Sequence, residues 1–218
     1  MIGENKKFPK LTVFSILHMI VILSIIFLGT FVFRKYASFL PINSIDFLFT
    51  LLFYVIIINL PVILYLKLLD KTNPFAYLKM DSGIFKGVLI GLVVGLFVFG
   101  IFFAVRGFKI SPQIDFKRDV YFILGTMLVG VLEEIPMRGF YLQKFESRMG
   151  FLKANILSSL LFTSLHVFDL IQDEANLVFS LALLFIVSLW LGYIFKKTKS
   201  LWTVIIVHSI YNLAVYIL

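Results

Sequence analysis

The sequence predicts an all-α fold, a polytopic membrane bundle of about seven (six to eight) transmembrane helices. The 218 residues are 61% hydrophobic, with a mean hydropathy of +1.02, whereas soluble domains are about 45–50% apolar. Apolar runs long enough to cross a bilayer, about 20 residues each, recur along the chain. Lys and Arg fall mostly between these runs, as they do in loops at a membrane surface.

The apolar runs define the predicted helices in order. They cover residues 11–33, 45–66, 86–105, 119–143, 153–168, 176–195 and 201–218. The first run follows Lys6, Lys7 and Lys10 but exceeds the roughly 7–15 residues of a signal-peptide core, so we expect a retained helix. Pro61 predicts either one kinked helix or two short helices in the second run. The fifth run is short, which indicates a tilted helix or one that ends within the bilayer.

The distribution of positive charge predicts a cytoplasmic N-terminus. With that orientation, thirteen Lys and Arg lie in the inner segments and six in the outer ones, as the positive-inside rule requires. The polar stretch Asp81 to Gly83 divides the chain into N-terminal transmembrane helices with an interfacial linker, 1–84, and a helical bundle, 85–218. Small size and the lack of an organelle signal favour a bacterial cell membrane.

Composition excludes some classes of function. The chain has no Cys, so disulfides and thiol chemistry are absent. Its net charge of +8 would suggest nucleic acid in a soluble protein. No basic and aromatic nucleic-acid motif occurs, however, and the charge lies between apolar runs. We therefore expect the lipid bilayer, and no nucleic acid, as a partner.

The fourth run carries charges at membrane depth. An ionised side chain there costs a few kcal/mol or more unless it is paired or faces water. Glu134 and Arg138 are four residues apart and share a helix face, so they can pair. Glu133 lies about 100° round the helix and is left free. Pro136 removes one backbone hydrogen bond, which predicts a kink beside the acids.

Two other helices carry polar residues at helical spacing. His166 follows Phe162 by four residues, and His208 precedes Asn212 by four. The chain has only three His, so the presence of two of them with the acidic cluster on three helices favours one shared site. Each group also has a structural interpretation, as an intramembrane ion pair or as interhelical hydrogen bonds. We expect His18 to be such a hydrogen bonder or to lie near the surface.

These residue types suit hydrolysis of an amide inside a membrane. A carboxylate beside two imidazoles can deprotonate a water, and His and Asn side chains can donate to an oxyanion. The alternative hypothesis is a zinc site formed by His166, His208 and Glu133. The sequence has no helical His-Glu-x-x-His motif and no two His close together, so we prefer a site without metal or cofactor.

Three motifs, in order along the chain, support a resemblance. They are Glu133-Glu134-x-x-x-Arg138-Gly139, Phe162-x-x-x-His166 and His208-x-x-x-Asn212. Together they resemble the motifs of the CPBP intramembrane proteases, also called the ABI family, over about residues 85–218. This family includes CAAX prenyl endopeptidases and bacteriocin-processing or immunity proteins.

The resemblance implies an all-helical protease of the glutamate type. By position, Glu133 would activate water, assisted by His166. His208 and Asn212 would form the oxyanion site. In the family the site opens toward the cytoplasm, which agrees with the predicted orientation.

The other motif residues have supporting roles in the resemblance. Glu134, paired with Arg138, would position the machinery, and Phe162 would pack without reacting.

We therefore expect an intramembrane endopeptidase that cuts membrane-associated peptides or membrane proteins near the inner face. Prenylated substrates are not expected in bacteria, so pheromone, bacteriocin or membrane-protein processing is favoured. One alternative is a non-enzymatic immunity or scaffold protein that binds a toxin or a sensor kinase. Another is a proton-coupled transporter with Glu133 as relay, which the lack of an inverted repeat disfavours.

Overall fold

The computed structural model describes residues 7–28, 51–111, 120–172 and 176–218, and every regular element in these ranges is helical. In chain order the helices are α1 (Lys7–Leu28), α2 (Leu51–Leu69), α3 (Pro74–Tyr77), α4 (Ile84–Val105), α5 (Val120–Glu134, continued by Ile135–Leu142 and Gln143–Met149), α6 (Phe151–Leu165), α7 (Val167–Gln172), α8 (Leu177–Thr198) and α9 (Leu201–Ile217). Four of them, α1, α2, α4 and α8, are long and apolar enough to cross a membrane, and α6 and α9 are shorter apolar helices. Each predicted run overlaps a described helix, so the prediction of an all-helical membrane bundle is confirmed.

Some predictions lie outside the described residues. They concern the helix ends at 29–33 and 45–50, the N-terminal Lys6, the basic residues Arg34, Lys35, Lys117 and Arg118, and the acids Asp173 and Glu174. The predicted outer loops therefore stay predictions.

Helix α2 is continuous through Pro61, so of the two predicted alternatives the structure has the single helix. Two π-helical stretches, Tyr54–Asn59 and Tyr65–Leu69, flank a short α-helical part. Pro61 stands in the first turn of that part, where its missing N–H is best tolerated. The N–H of Leu60 donates to the carbonyl of Val55, five residues earlier. The chain thus changes register ahead of the proline instead of breaking.

Helix α5 changes register in the same way beside the acidic pair. Pro136 has no N–H, and the π-helical stretch Ile135–Leu142 begins directly after Glu134. Such wide turns occur frequently at functional sites. Where the sequence predicted a kink at Pro136, the structure has a widened helix of eight residues. The two acids lie in the last α-helical turn before it.

Glycines let α9 approach α4 closely. Gly87, Gly91 and Gly95 are buried on one face of α4. A Cβ added at Gly91 would lie 2.8 Å from Cβ of Ile206 and 2.9 Å from the carbonyl oxygen of Thr203. The Thr203 hydroxyl donates to the Gly87 carbonyl at 3.0 Å. Small residues with such hydrogen bonds are the usual means of close helix packing in a membrane, and here they fix α9, which carries His208.

Helix α9 also packs closely against α5. A Cβ added at Gly130 would lie 2.7 Å from Oγ of Ser209 and 2.9 Å from its backbone nitrogen. The Ser209 hydroxyl donates to the carbonyl of Met127 at 2.7 Å. This approach brings the residue before Ser209, His208, to the acids that follow Gly130.

The N-terminal helices are joined to α5 by a buried histidine. His18 Nδ1 lies 2.7 Å from the Tyr141 hydroxyl, and its Nε2 lies 3.0 Å from the Ile57 carbonyl. His18 therefore links α1, α2 and α5, as the interhelical interpretation expected. The rings of Phe14 and Phe140 meet edge to face at 5.7 Å across the same interface. The division of the chain near residue 84 stays a prediction.

The basic residues of the described chain gather mostly at one end of the bundle, here called the basic end. Lys144 of α5 pairs with Asp70 after α2, and Lys196 of α8 pairs with Glu146 of α5. The N–H of Leu201, at the start of α9, donates to the carbonyl of Lys79 at 3.2 Å. The basic end carries Lys67, Lys71, Lys79, Lys86, Lys144, Arg148, Lys153, Lys196, Lys197 and Lys199.

Candidate active site

The predicted ion pair of α5 is present and buried. Arg138 Nη1 lies 2.8 Å from Oε1 of Glu134, and the two side chains are 1% and 0% exposed. Arg138 Nη2 donates to both the hydroxyl and the carbonyl of Ser188 on α8, at 2.7 and 2.8 Å. The guanidinium thus has acceptors on two helices, which is what a charge removed from water requires.

His208 extends this network to α9 and to the second acid. Its Nδ1 lies 2.7 Å from Oε1 of Glu134. Its Nε2 lies 3.9 Å from Oε2 of Glu133. One imidazole therefore stands between the two carboxylates, with one ring nitrogen facing each of them.

The carboxylate of Glu133 has one oxygen held and one free. Oε1 accepts a hydrogen bond of 2.9 Å from the Tyr54 hydroxyl. Oε2 is buried and has no hydrogen-bond partner among the described residues. The oxygen that faces His208 is thus the one available to a further group.

Phe162 is the aromatic centre of the site. Its ring lies 4.9 Å from the Arg138 guanidinium, 5.7 Å from the His208 ring and 4.7 Å from the His166 ring. The Phe162 side chain is 2% exposed. It packs among the charged groups, excludes water from one side of them, and connects α6 to the network.

His166 lies at the end of α6, beside Phe162. Its Nδ1 is 3.0 Å from the Phe162 carbonyl, so the bond assigns the proton to Nδ1 and leaves a lone pair on Nε2. Within the described residues, no carboxylate comes within hydrogen-bonding distance of this ring. The structure thus places His166 next to the acid and histidine network without a direct bond to it.

Asn212 lies one turn beyond His208 on the same face of α9. Its Nδ2 donates to the Thr126 carbonyl of α5 at 3.4 Å, a long bond. The amide nitrogen has two hydrogens, so a second donor remains. Asn212 and His208 therefore face α5 together, as their spacing predicted.

Two residues of the site were not predicted. Tyr54 reaches Glu133 from α2, and Ser188 binds Arg138 from α8. Each is a single polar group in an apolar run. A buried Tyr hydroxyl usually needs a partner, which was the available signal for Tyr54. Ser188 had no comparable signal, because a lone Ser is common in transmembrane helices.

The position of His208 along α9 gives its distance from the basic end. His208 is seven residues after the start of α9 at Leu201, which at 1.5 Å per residue is about 10 Å. The hydrocarbon core of a bilayer is about 30 Å thick. His208 therefore lies about a third of that thickness from the basic end, and Asn212, four residues further along α9, lies about half of it from that end.

The described residues contain no group of three or more His, Cys, Asp or Glu arranged to hold a metal ion. Glu133, Glu134 and His208 do gather, but one oxygen and one nitrogen of this set are already engaged with each other and with Arg138. Catalysis without a metal therefore stays a prediction.

Comparison with protein families decides what this helical site is similar to. Residues 118–214 match the model of a family described as type II CAAX prenyl endopeptidase, Rce1-like. Over these residues the chain is similar to the Rce1-like family. The match confirms the resemblance that the motifs indicated, and all three motifs fall within the Rce1-like segment. No curated protein and no solved structure matches the chain significantly.

The Rce1-like assignment supports protease activity in a membrane protein at the level of the family. It covers α5 to α8 in full and α9 up to residue 214. Tyr54 and His18 lie outside the Rce1-like segment, on the N-terminal helices that pack against it.

Proposed function

We propose that the protein is an intramembrane endopeptidase that hydrolyses peptide bonds of membrane-associated peptides or membrane proteins with an activated water. The single observation that carries the proposal is the state of Glu133. Its Oε2 is buried, has no partner among the described residues and faces His208 Nε2 at 3.9 Å. A carboxylate oxygen in that position is suited to take a proton from a water.

In the proposed reaction, the water oxygen attacks the carbonyl carbon and its proton passes to Oε2 of Glu133. The proton is then delivered to the leaving amine as the peptide bond breaks, so no covalent enzyme intermediate is needed. His166 assists, because its Nε2 lone pair can accept a hydrogen bond from the water or the protonated amine. Its Nδ1–H bond to Phe162 fixes the ring for that role.

His208 and Asn212 are proposed to stabilise the oxyanion. His208 donates from Nδ1 to Glu134, so it can donate to an oxyanion only from a protonated Nε2. The proposal therefore requires an imidazolium, and Glu134 supplies the compensating charge. Asn212 contributes its second amide hydrogen. Preorganised donors of this kind act where charge develops in the transition state.

Glu134 is proposed to position this machinery and not to react. Its Oε1 accepts from both Arg138 and His208, two donors on two helices. Its Oε2 is buried and has no hydrogen-bond partner among the described residues, but it is the Glu133 oxygen that faces His208 Nε2. Phe162 packs against the same guanidinium. Both roles follow the family resemblance.

We propose catalysis without metal or another cofactor. The support is chemical: Glu133 supplies a base, and His208 and Asn212 supply oxyanion donors, so no Lewis acid is required. The zinc-dependent variant remains the alternative that a metal analysis decides.

The proposed location is the cell membrane of a bacterium, with the N-terminus in the cytoplasm. The basic end would face the cytoplasm because inner loops carry the excess of Lys and Arg. His208 would then lie about 10 Å inside that face. Substrates would be cut near the inner surface, which fits processing of peptides or membrane proteins.

The decisive experiment compares the peptides of cells that express wild type, Glu133→Gln and Glu146→Gln. Glu133→Gln keeps the side-chain shape and removes the base. Glu146→Gln makes the same change at the basic end, where the Glu146 carboxylate pairs with Lys196. We expect products that depend on wild type and on Glu146→Gln but disappear with Glu133→Gln at equal membrane expression.

Full processing by Glu133→Gln would overturn the proposed mechanism. A toxin-protection phenotype that persists in Glu133→Gln and His166→Ala would favour the non-enzymatic immunity or scaffold role, with a toxin or a sensor kinase as the partner.

A further inference from the structure

The proposed base receives a hydrogen bond from outside the Rce1-like segment. The Tyr54 hydroxyl on α2 donates to Oε1 of Glu133 at 2.9 Å. We infer that Tyr54 is a positioning residue, which turns the Glu133 carboxylate so that Oε2 faces the reacting water. The inference rests on the proposed function, since it assigns Tyr54 a task in that reaction.

A carboxylate needs such a partner to present one defined oxygen. The terminal torsion of a Glu side chain is broad and roughly two-fold, so an unheld group can turn either oxygen toward a substrate. Among the described residues, the Tyr54 hydroxyl is the one hydrogen-bond donor to the Glu133 carboxylate. With Oε1 engaged, Oε2 remains opposite His208 Nε2. Small displacements of a reacting group lower rates by up to about a hundredfold.

The backbone around Tyr54 is itself held in place. Tyr54 begins the π-helical stretch Tyr54–Asn59, and Nδ2 of Asn59 donates to the Tyr54 carbonyl at 2.8 Å. Further along the same stretch, the carbonyl of Ile57 accepts from His18 of α1 at 3.0 Å. These bonds fix the turn of α2 from which the phenol reaches α5.

The inference gives the N-terminal helices a part in the chemistry. Tyr54 precedes the matched residues 118–214, so the catalytic motifs alone would leave Glu133 without its orienting donor. Helices α1 and α2 would then complete the active site as well as anchor it.

Tyr54→Phe tests the inference because it removes the hydroxyl and keeps the ring, which meets Phe53 edge to face. Tyr141→Phe is the matched control. It also removes one buried phenol hydroxyl at the interface of α5 with the N-terminal helices, but that hydroxyl binds His18 and no carboxylate. Both variants are purified at full length, and kcat and KM are measured on a substrate identified by the peptide comparison.

We expect Tyr54→Phe to lower kcat by about ten- to a hundredfold with little change in KM, because the substrate still binds while the base is misaligned. Tyr141→Phe should retain the wild-type kcat. An unchanged kcat in Tyr54→Phe would overturn the inference while leaving the proposed function intact. Equal losses of kcat in the two variants would overturn it too, since the effect would then be general to the interface.

A double-mutant cycle, measured by thermal unfolding, separates failure of the inference from failure of the proposed function. Tyr54→Phe should lower Tm more in the wild-type background than in Glu133→Ala, where the bond to the Glu133 carboxylate is already absent. This coupling supports the positioning bond even if no cleavage by wild type is found, a result that would remove the proposed function itself. Additive effects on Tm would overturn the inference.

Discussion

His208 Nδ1 lies 2.7 Å from Oε1 of Glu134, at a carboxylate that is fully buried between α5 and α9. The same oxygen accepts from Arg138 at 2.8 Å. Arg138 in turn binds Ser188 of α8. The Glu134 carboxylate thus joins three helices. Its burial is compensated by two hydrogen-bond donors, Arg138 and His208, which share one of its oxygens.

Removal of the Arg138 charge should destabilise the fold strongly. Arg138→Met leaves the buried Glu134 without its guanidinium partner, and breaking a buried pair in this way costs about 3–5 kcal/mol. We expect the free energy of unfolding in detergent to fall by that amount. The double variant Glu134→Gln with Arg138→Met should recover part of the loss, because no carboxylate is then left without its guanidinium partner.

The control for that prediction is Lys196→Met. Lys196 also pairs with a glutamate, Glu146, but its side chain is 46% exposed. Exposed pairs contribute about 0–1 kcal/mol, so the change in unfolding free energy should be small. If Arg138→Met and Lys196→Met cost the same, burial is not what makes the Glu134 pair important.

Loss of the Asn212 amide should slow the reaction without loosening substrate binding. Asn212→Ala removes one proposed oxyanion donor, and such changes lower kcat by about 10²–10³. KM should stay near the wild-type value. Asn155→Ala, which removes a buried amide that donates to the Leu189 carbonyl of α8, should keep kcat. A wild-type kcat in Asn212→Ala would rule out its oxyanion role.

Metal removal should leave the activity intact. Because the proposed base and oxyanion donors are side chains, we expect cleavage to continue in a strong chelator and purified protein to lack stoichiometric zinc. His166→Ala and His18→Gln provide a matched pair, since His18 is bound to Tyr141 and Ile57 away from the acids. Stoichiometric zinc in wild type and His18→Gln that is lost in His166→Ala would establish the zinc mechanism instead.

Two alanine substitutions in α4 should act in opposite directions. At Gly91 a Cβ would lie 2.9 Å from the backbone carbonyl of Thr203, so α9 must move. We expect Gly91→Ala to lower the free energy of unfolding by about 1–3 kcal/mol. At Gly100 nothing lies within 4 Å of the added Cβ, and the higher helix propensity of Ala should stabilise by up to about 1 kcal/mol. Equal thermal shifts in the two variants would contradict the close packing of α4 on α9.

Much of the candidate site was predictable because its residues sit on helices at fixed spacing. Glu134 and Arg138 pair at a separation of four residues, and His208 and Asn212 face α5 together for the same reason. Burial of a charge in an apolar run identified the acidic cluster without any structure. The interhelical bond of His18 was one of two alternatives, and its 5% exposure decided between them.

The missed features depend on contacts between distant segments or on backbone register. Tyr54 is one polar side chain among many aromatic ones, and 79 residues separate it from Glu133. Ser188 is 50 residues from Arg138. The π-helical stretches in α2 and α5 are the way in which the chain accommodates Pro61 and Pro136. A kink would accommodate the missing proline N–H equally well, so the sequence could not decide between the two.

By itself, the sequence determined an all-helical membrane bundle, the pairing of Glu134 with Arg138 and the resemblance of its C-terminal segment to a protease family. Hydropathy and helical periodicity are local properties, so these conclusions need no knowledge of how helices pack. Only the tertiary structure decided that His208 stands between the two carboxylates, with Oε2 of Glu133 open and Oε1 held by Tyr54. That arrangement depends on the glycines that bring α4, α5 and α9 together and on the π-helical turns that set the rotation of α2 and α5. Neither can be predicted from the sequence of one helix alone.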